Sequence, residues 1–69
     1  MEFRKFISKW NNETFMIEED VPEYGVYLYI YDASEFRYHD DVYDTIEQCK
    51  RAAFMEWGVP VESWEEVFE

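Results

Sequence analysis

Six residues near the middle of the chain, Val26-Tyr27-Leu28-Tyr29-Ile30-Tyr31, alternate aliphatic and aromatic without a break. Successive side chains of an extended strand point to opposite faces. The run therefore puts Val26, Leu28 and Ile30 on one side and three tyrosines on the other. A helix would scatter both sets around its circumference. The chain is committed to a sheet whose aliphatic face needs a covering layer. Its tyrosine face is either half covered by neighbours or exposed. The chain has 69 residues, room for a single compact domain over 1–69. A domain this short buries only about 60% of the surface its unfolded chain exposes. Six Phe, six Tyr and three Trp supply the large side chains that such a small core requires.

The flanking segments extend the sheet. Phe3, Phe6, Ile7 and Trp10 have a spacing that suits a short helix or a strand. Asn11-Asn12-Glu13 signals a turn, and Thr14-Phe15-Met16-Ile17 is rich in β-branched and aromatic residues, so a hairpin is the preferred reading. Residues 18–23 form a break around Pro22, which lacks a backbone donor. After the alternating strand, Asp32-Ala33-Ser34-Glu35 turns the chain. Phe36-Arg37-Tyr38-His39 returns, with Phe36 and Tyr38 on one face and Arg37 and His39 on the other.

A helix is expected over 44–57. Asp44 and Glu47 have the spacing of a capping box, and Asp41 offers a cap one turn earlier. Asp40, Asp41, Asp44 and Glu47 all suit the positive end of a helix dipole. Ile46, Cys49, Ala53 and Trp57 form an apolar stripe, which Val42 extends. Gly58 fits the left-handed position after the last turn, Val59 supplies the accompanying apolar contact, and Pro60 prevents continuation. In the tail, Ser63 and Glu66 again have capping spacing, leaving a short final helical turn or an irregular segment closed by Trp64. The expected fold is α+β: an antiparallel sheet of three to four strands, built as two hairpins and packed against one principal C-terminal helix, with a short aromatic tail.

Seventeen Asp and Glu against six Lys and Arg give a formal net charge of −11. The first ten residues carry +2, whereas residues 11–23 and 56–69 each carry −5 with no cation. Such a field repels phosphates and anionic membranes and attracts basic surfaces. Direct nucleic-acid binding is therefore not expected, although tyrosines on a sheet have the chemistry to stack bases. A hydrophobic content of 48% argues against disorder. The single cysteine rules out an intrachain disulfide. No run reaches the roughly 18 apolar residues of a membrane helix, and the first residues lack the apolar stretch of a signal peptide. A cytoplasmic protein is the expectation.

Catalysis is poorly provided for. Cys49 falls on the core stripe of the helix, where apolar surroundings raise a thiol pKa and suppress its reactivity. His39 is the only histidine, which excludes a multi-histidine metal site. The acids at the helix start do not match the twelve-residue calcium loop. No glycine-rich phosphate loop exists, since Gly25 and Gly58 are the only glycines. No motif specifies a family. Charge and aromatic content instead point to a small acidic protein-binding module, not an enzyme, with no cofactor. The expected partner is a basic protein such as a nuclease or another nucleic-acid-binding protein. An inhibitor or immunity-like role, or nucleic-acid mimicry, would suit that partner. The expected binding residues are Tyr27, Tyr29, Tyr31, Asp40, Asp41, Asp44 and Glu47. One alternative is a structural domain that forms a homodimer through the sheet. The other is a small hydrolase or metal-binding protein, the least favoured reading.

Overall fold

The computed structural model describes residues 3–21 and 23–68, so Pro22, the centre of the expected break, lies outside the described residues. Its strands are β1 (Lys5–Trp10), β2 (Glu13–Glu19), β3 (Val26–Tyr31), β4 (Arg37–Tyr43) and β5 (Glu65–Val67). Between β4 and β5 come the helix α1 (Ile46–Trp57) and a short 3-10 turn (Val61–Ser63). All strand pairings are antiparallel, in the order β4-β3-β2-β1-β5. The α+β architecture, with two hairpins followed by a helix against the sheet, is the one the sequence implies.

Local chemistry explains the hairpins. Residues 5–10 are strand and not helix, because Asn11 and Asn12 turn the chain with φ of 56° and 65°. Two consecutive left-handed residues make the turn whose twist matches a two-residue hairpin, and asparagine tolerates that conformation. The loop is one residue shorter than expected, and Glu13 already pairs with Trp10. Glu18 and Glu19, expected in the break, still belong to β2 opposite Tyr27 and Val26. In the second hairpin Asp32 Oδ1 accepts from the backbone N–H groups of Ser34 at 2.9 Å and Phe36 at 3.0 Å.

The faces of β4 differ from the sequence reading. His39 pairs with Ile30 while Arg37 pairs with Tyr31, a register shift that gives β4 one extra residue. Such a bulge breaks the simple alternation, so Arg37 and His39 fall on opposite faces rather than the same one. The strand also runs on through Asp40 and Asp41 to Tyr43.

The helix begins later than expected, and its cap is Thr45, not Asp44 or Asp41. Thr45 Oγ1 accepts from the Gln48 N–H at 3.1 Å, while Gln48 Oε1 accepts from the Asp44 N–H at 2.9 Å. Thr45 and Gln48 thus make a variant of the capping box, in which the glutamine returns to the N–H of Asp44, one residue before the cap, and not to that of the cap itself. Asp41 is still strand and too early to serve. At the far end Gly58 adopts φ 77°. Its N–H donates to Phe54 O at 2.9 Å, and the Val59 N–H donates to Ala53 O at 3.3 Å. With Val59 fully buried, this is the anticipated left-handed termination with its apolar contact.

Ile46, Cys49 and Ala53 bury the inner stripe of α1 against Phe6, Phe15, Ile17, Val26, Leu28 and Ile30. Trp57 is half-buried and lies against Phe15 and His39, with ring centroids 6.1 and 5.0 Å away. Val42 does not extend this stripe: it lies on β4 and is exposed. The tail corrects the sequence reading most. Ser63 does not cap a helix; its hydroxyl donates to Pro60 O at 2.7 Å and meets the buried Ser8 hydroxyl at 2.7 Å. That link seats the 3-10 turn on β1, Trp64 is buried in the core, and Glu65–Val67 becomes a fifth strand beside Lys5–Ile7. No helix among the described residues is long and apolar enough to cross a membrane.

Candidate functional site

Residues paired across neighbouring strands point to the same side of a sheet, so the registers define the face turned away from α1. Its middle row runs Glu65, Ile7, Met16, Tyr29, Asp40, and a flanking row runs Val67, Lys5, Glu18, Tyr27, Val42. A third row contains Lys9, Thr14, Tyr31 and Arg37. Ile7, Met16, Val67 and the three tyrosines are half-buried by one another, with no described element above them. This face is an apolar patch with a polar margin.

The tyrosines are ordered among themselves. Tyr27 and Tyr29 stack with centroids 5.9 Å apart and planes within 12°. The Arg37 guanidinium lies 4.8 Å from the Tyr29 centroid, inside cation–π range. The Tyr29 hydroxyl holds its proton more tightly than usual, chiefly through burial and then through Glu18, with Arg37 acting in the opposite direction.

The seven residues singled out in the sequence do not form one cluster. Tyr27, Tyr29, Tyr31 and Asp40 share the open face. Asp41 pairs with Leu28 and belongs to the helix side. Its carboxylate is engaged locally, accepting from the Val42 N–H at 2.9 Å and the Tyr43 hydroxyl at 3.2 Å. Asp44 lies in the β4–α1 connection and Glu47 in the first turn of α1. The sequence reading missed Ile7, Met16, Glu18, Arg37, Val42 and Val67 as parts of the same face. Alternation within each strand was the available signal, but it gives no cross-strand register.

Charge is unevenly shared between the two sides. The open face carries Lys5, Lys9 and Arg37 against Glu18, Asp40 and Glu65, a net of zero. Elsewhere among the described residues three cations face twelve acids, a net of −9. The face is thus a neutral, apolar-centred surface within a strongly negative molecule.

The remaining chemistry-bearing groups are occupied by packing. Cys49 is fully buried, and burial followed by the charge of Asp41 pushes its thiol up to about 12. The sulfur lies 3.7 Å from Val26 O. A thiol so held is not a thiolate nucleophile at neutral pH. His39 packs edge-on to Trp57, and its buried Nε2 has no hydrogen-bond partner among the described residues. No group of three or more His, Cys, Asp or Glu among the described residues is placed to hold a metal ion.

Fold and surface together define a small α+β domain: a five-stranded antiparallel sheet with one face under a helix and the other open. No protein-family model, curated protein or solved structure matches the chain.

Proposed function

We propose that this protein is a non-catalytic binding module that docks a basic macromolecular partner on the open, tyrosine-bearing face of its sheet. One observation carries the reading: the face has a neutral apolar centre while the rest of the described molecule is strongly acidic. Protein interfaces combine an apolar core with a polar rim, and tyrosine and arginine are frequent energetic anchors. The surrounding acids would steer a basic partner and raise its association rate by about 10–10³-fold. A nuclease or another nucleic-acid-binding protein presents the required basic surface. Covering such a surface is an inhibitor-like or nucleic-acid-mimicking role.

The same face supports a second reading, a homodimer through the sheet. Two copies would bring two acidic rims together, which disfavours this pairing at low salt. Raising salt screens those rims and strengthens a homodimer, but it weakens a complex with a basic partner.

The test is to isolate a basic partner and measure its affinity for face and control variants. Asp41 is left unchanged because its carboxylate is bonded within its own strand. Tyr29→Ala, and Asp40→Asn combined with Glu18→Gln, should each weaken binding by about tenfold or more, the scale of an interface anchor. Glu56→Gln combined with Glu62→Gln should change it much less. Equal effects of the face and control pairs, or binding indifferent to salt, would overturn the reading.

A further inference from the structure

We propose that the Tyr29 ring is a subsite for an arginine side chain of the partner, and that Arg37 occupies it in the free protein as an internal stand-in. This deepens the docking reading above and rests on it. The ring already receives a guanidinium, since Arg37 is 4.8 Å from its centroid. The bulge in β4, opposite the step from Ile30 to Tyr31, makes this possible by bringing Arg37 to the tyrosine side of the sheet. Arg37 is exposed and forms no ion pair among the described residues. The ring contact is therefore its principal anchor, and at an exposed site such a contact favours the seated state by only about two- to fivefold. It is a weak, displaceable occupant.

The surroundings fit a second guanidinium better than they fit Arg37. Tyr27 stacks on Tyr29 and backs its ring, so the guanidinium seat is a supported aromatic face. Asp40 stands directly opposite Tyr29, exposed and without an ion pair among the described residues. Glu18, opposite Tyr27, is already 3.4 Å from Lys5. An arginine arriving from solvent gains both the ring face and the Asp40 carboxylate, whereas Arg37 has only the ring. Arginine suits this pair better than lysine because its flat guanidinium stacks on an aromatic face while its edge donates two parallel bonds to a carboxylate. The partner must first displace Arg37, so the free protein holds its own weak competitor.

The experiment uses the full chain and two synthetic probes: an eight-residue peptide alternating arginine with serine, and its lysine counterpart. NMR titration gives the affinity and the residues perturbed, and far-UV circular dichroism checks each variant's fold. In the wild type the arginine peptide should perturb Tyr27, Tyr29 and Asp40 and bind more tightly than the lysine peptide. Arg37→Gln should tighten the arginine peptide two- to fivefold beyond the gain from Lys9→Gln, which removes the same charge from the same row away from Tyr29. Tyr29→Leu should erase the preference for arginine over lysine. Equal gains from Arg37→Gln and Lys9→Gln would reduce the effect to charge and overturn the stand-in. Weaker binding by Arg37→Gln, or shifts confined to the acidic loops, would overturn it as well. The docking reading is judged separately by the native partner: it survives these outcomes if that partner still depends on Tyr29 and Asp40, and it falls if the partner ignores both.

Discussion

Replacing Gly25 by alanine should damage this protein far more than the same change at Gly58, although both glycines have positive φ. Gly25 has φ 93° and Gly58 φ 77°, so alanine at either site pays the left-handed penalty of about 1–2 kcal/mol. The surroundings then separate them. A methyl group at Gly25 would lie 2.6 Å from the Tyr43 carbonyl oxygen and 3.2 Å from Val42 Cγ2. The first contact is with backbone, so relief requires the end of β4 to move away from β3, where Val26 pairs with Tyr43. Overpacking of this kind adds about 1–3 kcal/mol. At Gly58 the nearest atom, Trp10 Nε1, is 4.0 Å away, and no such addition applies. The expected losses are about 2–5 kcal/mol for Gly25→Ala and about 1–2 kcal/mol for Gly58→Ala. Domains of this size have about 3–10 kcal/mol in total, so the first change approaches global unfolding. Urea unfolding followed by tryptophan fluorescence gives both values. Because the displaced strand carries Asp40, Gly25→Ala should also weaken partner binding in whatever fraction stays folded. A loss at Gly58 equal to or larger than that at Gly25 would refute the steric reasoning.

Two further outcomes follow from buried acidic protons. Cys49 should react with a thiol reagent at the rate of unfolding, and fast labelling of the intact fold would contradict its burial; Cys49→Ser should cost about 1–3 kcal/mol through an imperfectly satisfied hydroxyl. Burial first, with Asp41 second, raises the Tyr43 phenol to about 12 from its ordinary 10.0, and the Cys49 thiol rises to about 12 from 9.0. The folded chain therefore binds more protons than the unfolded chain between these values, so stability is intact below about pH 9 and falls as pH rises towards 12. Thermal melts between pH 8 and 11 test this, and a flat profile would refute it.

What the sequence determined was local. The alternation over residues 26–31 required a strand with an aliphatic and an aromatic side. Gly58, Val59 and Pro60 set the helix end because left-handed backbone, an apolar contact and a missing donor are properties of those residues themselves. The apolar stripe of Ile46, Cys49 and Ala53 was readable for the same reason. The helix start was less legible, because Asp41, Asp44 and Thr45 all have capping chemistry and only the length of β4 chooses between them.

Tertiary structure decided whatever depended on two distant segments meeting. Glu65–Val67 is a strand because the Ser8–Ser63 contact brings it alongside β1; its own three residues have too little pattern to show this. The bulge in β4 decided that Arg37 faces the tyrosines while His39 faces Trp57. Register likewise parted Asp40 from Asp41 and joined Ile7, Met16, Tyr29 and Asp40 in one row. A side chain's face is set by counting along its own strand, but its neighbours are set by how far each strand slides against the next. A slip of one residue reverses a strand's faces, and that choice is made by the packing of the whole core beneath α1.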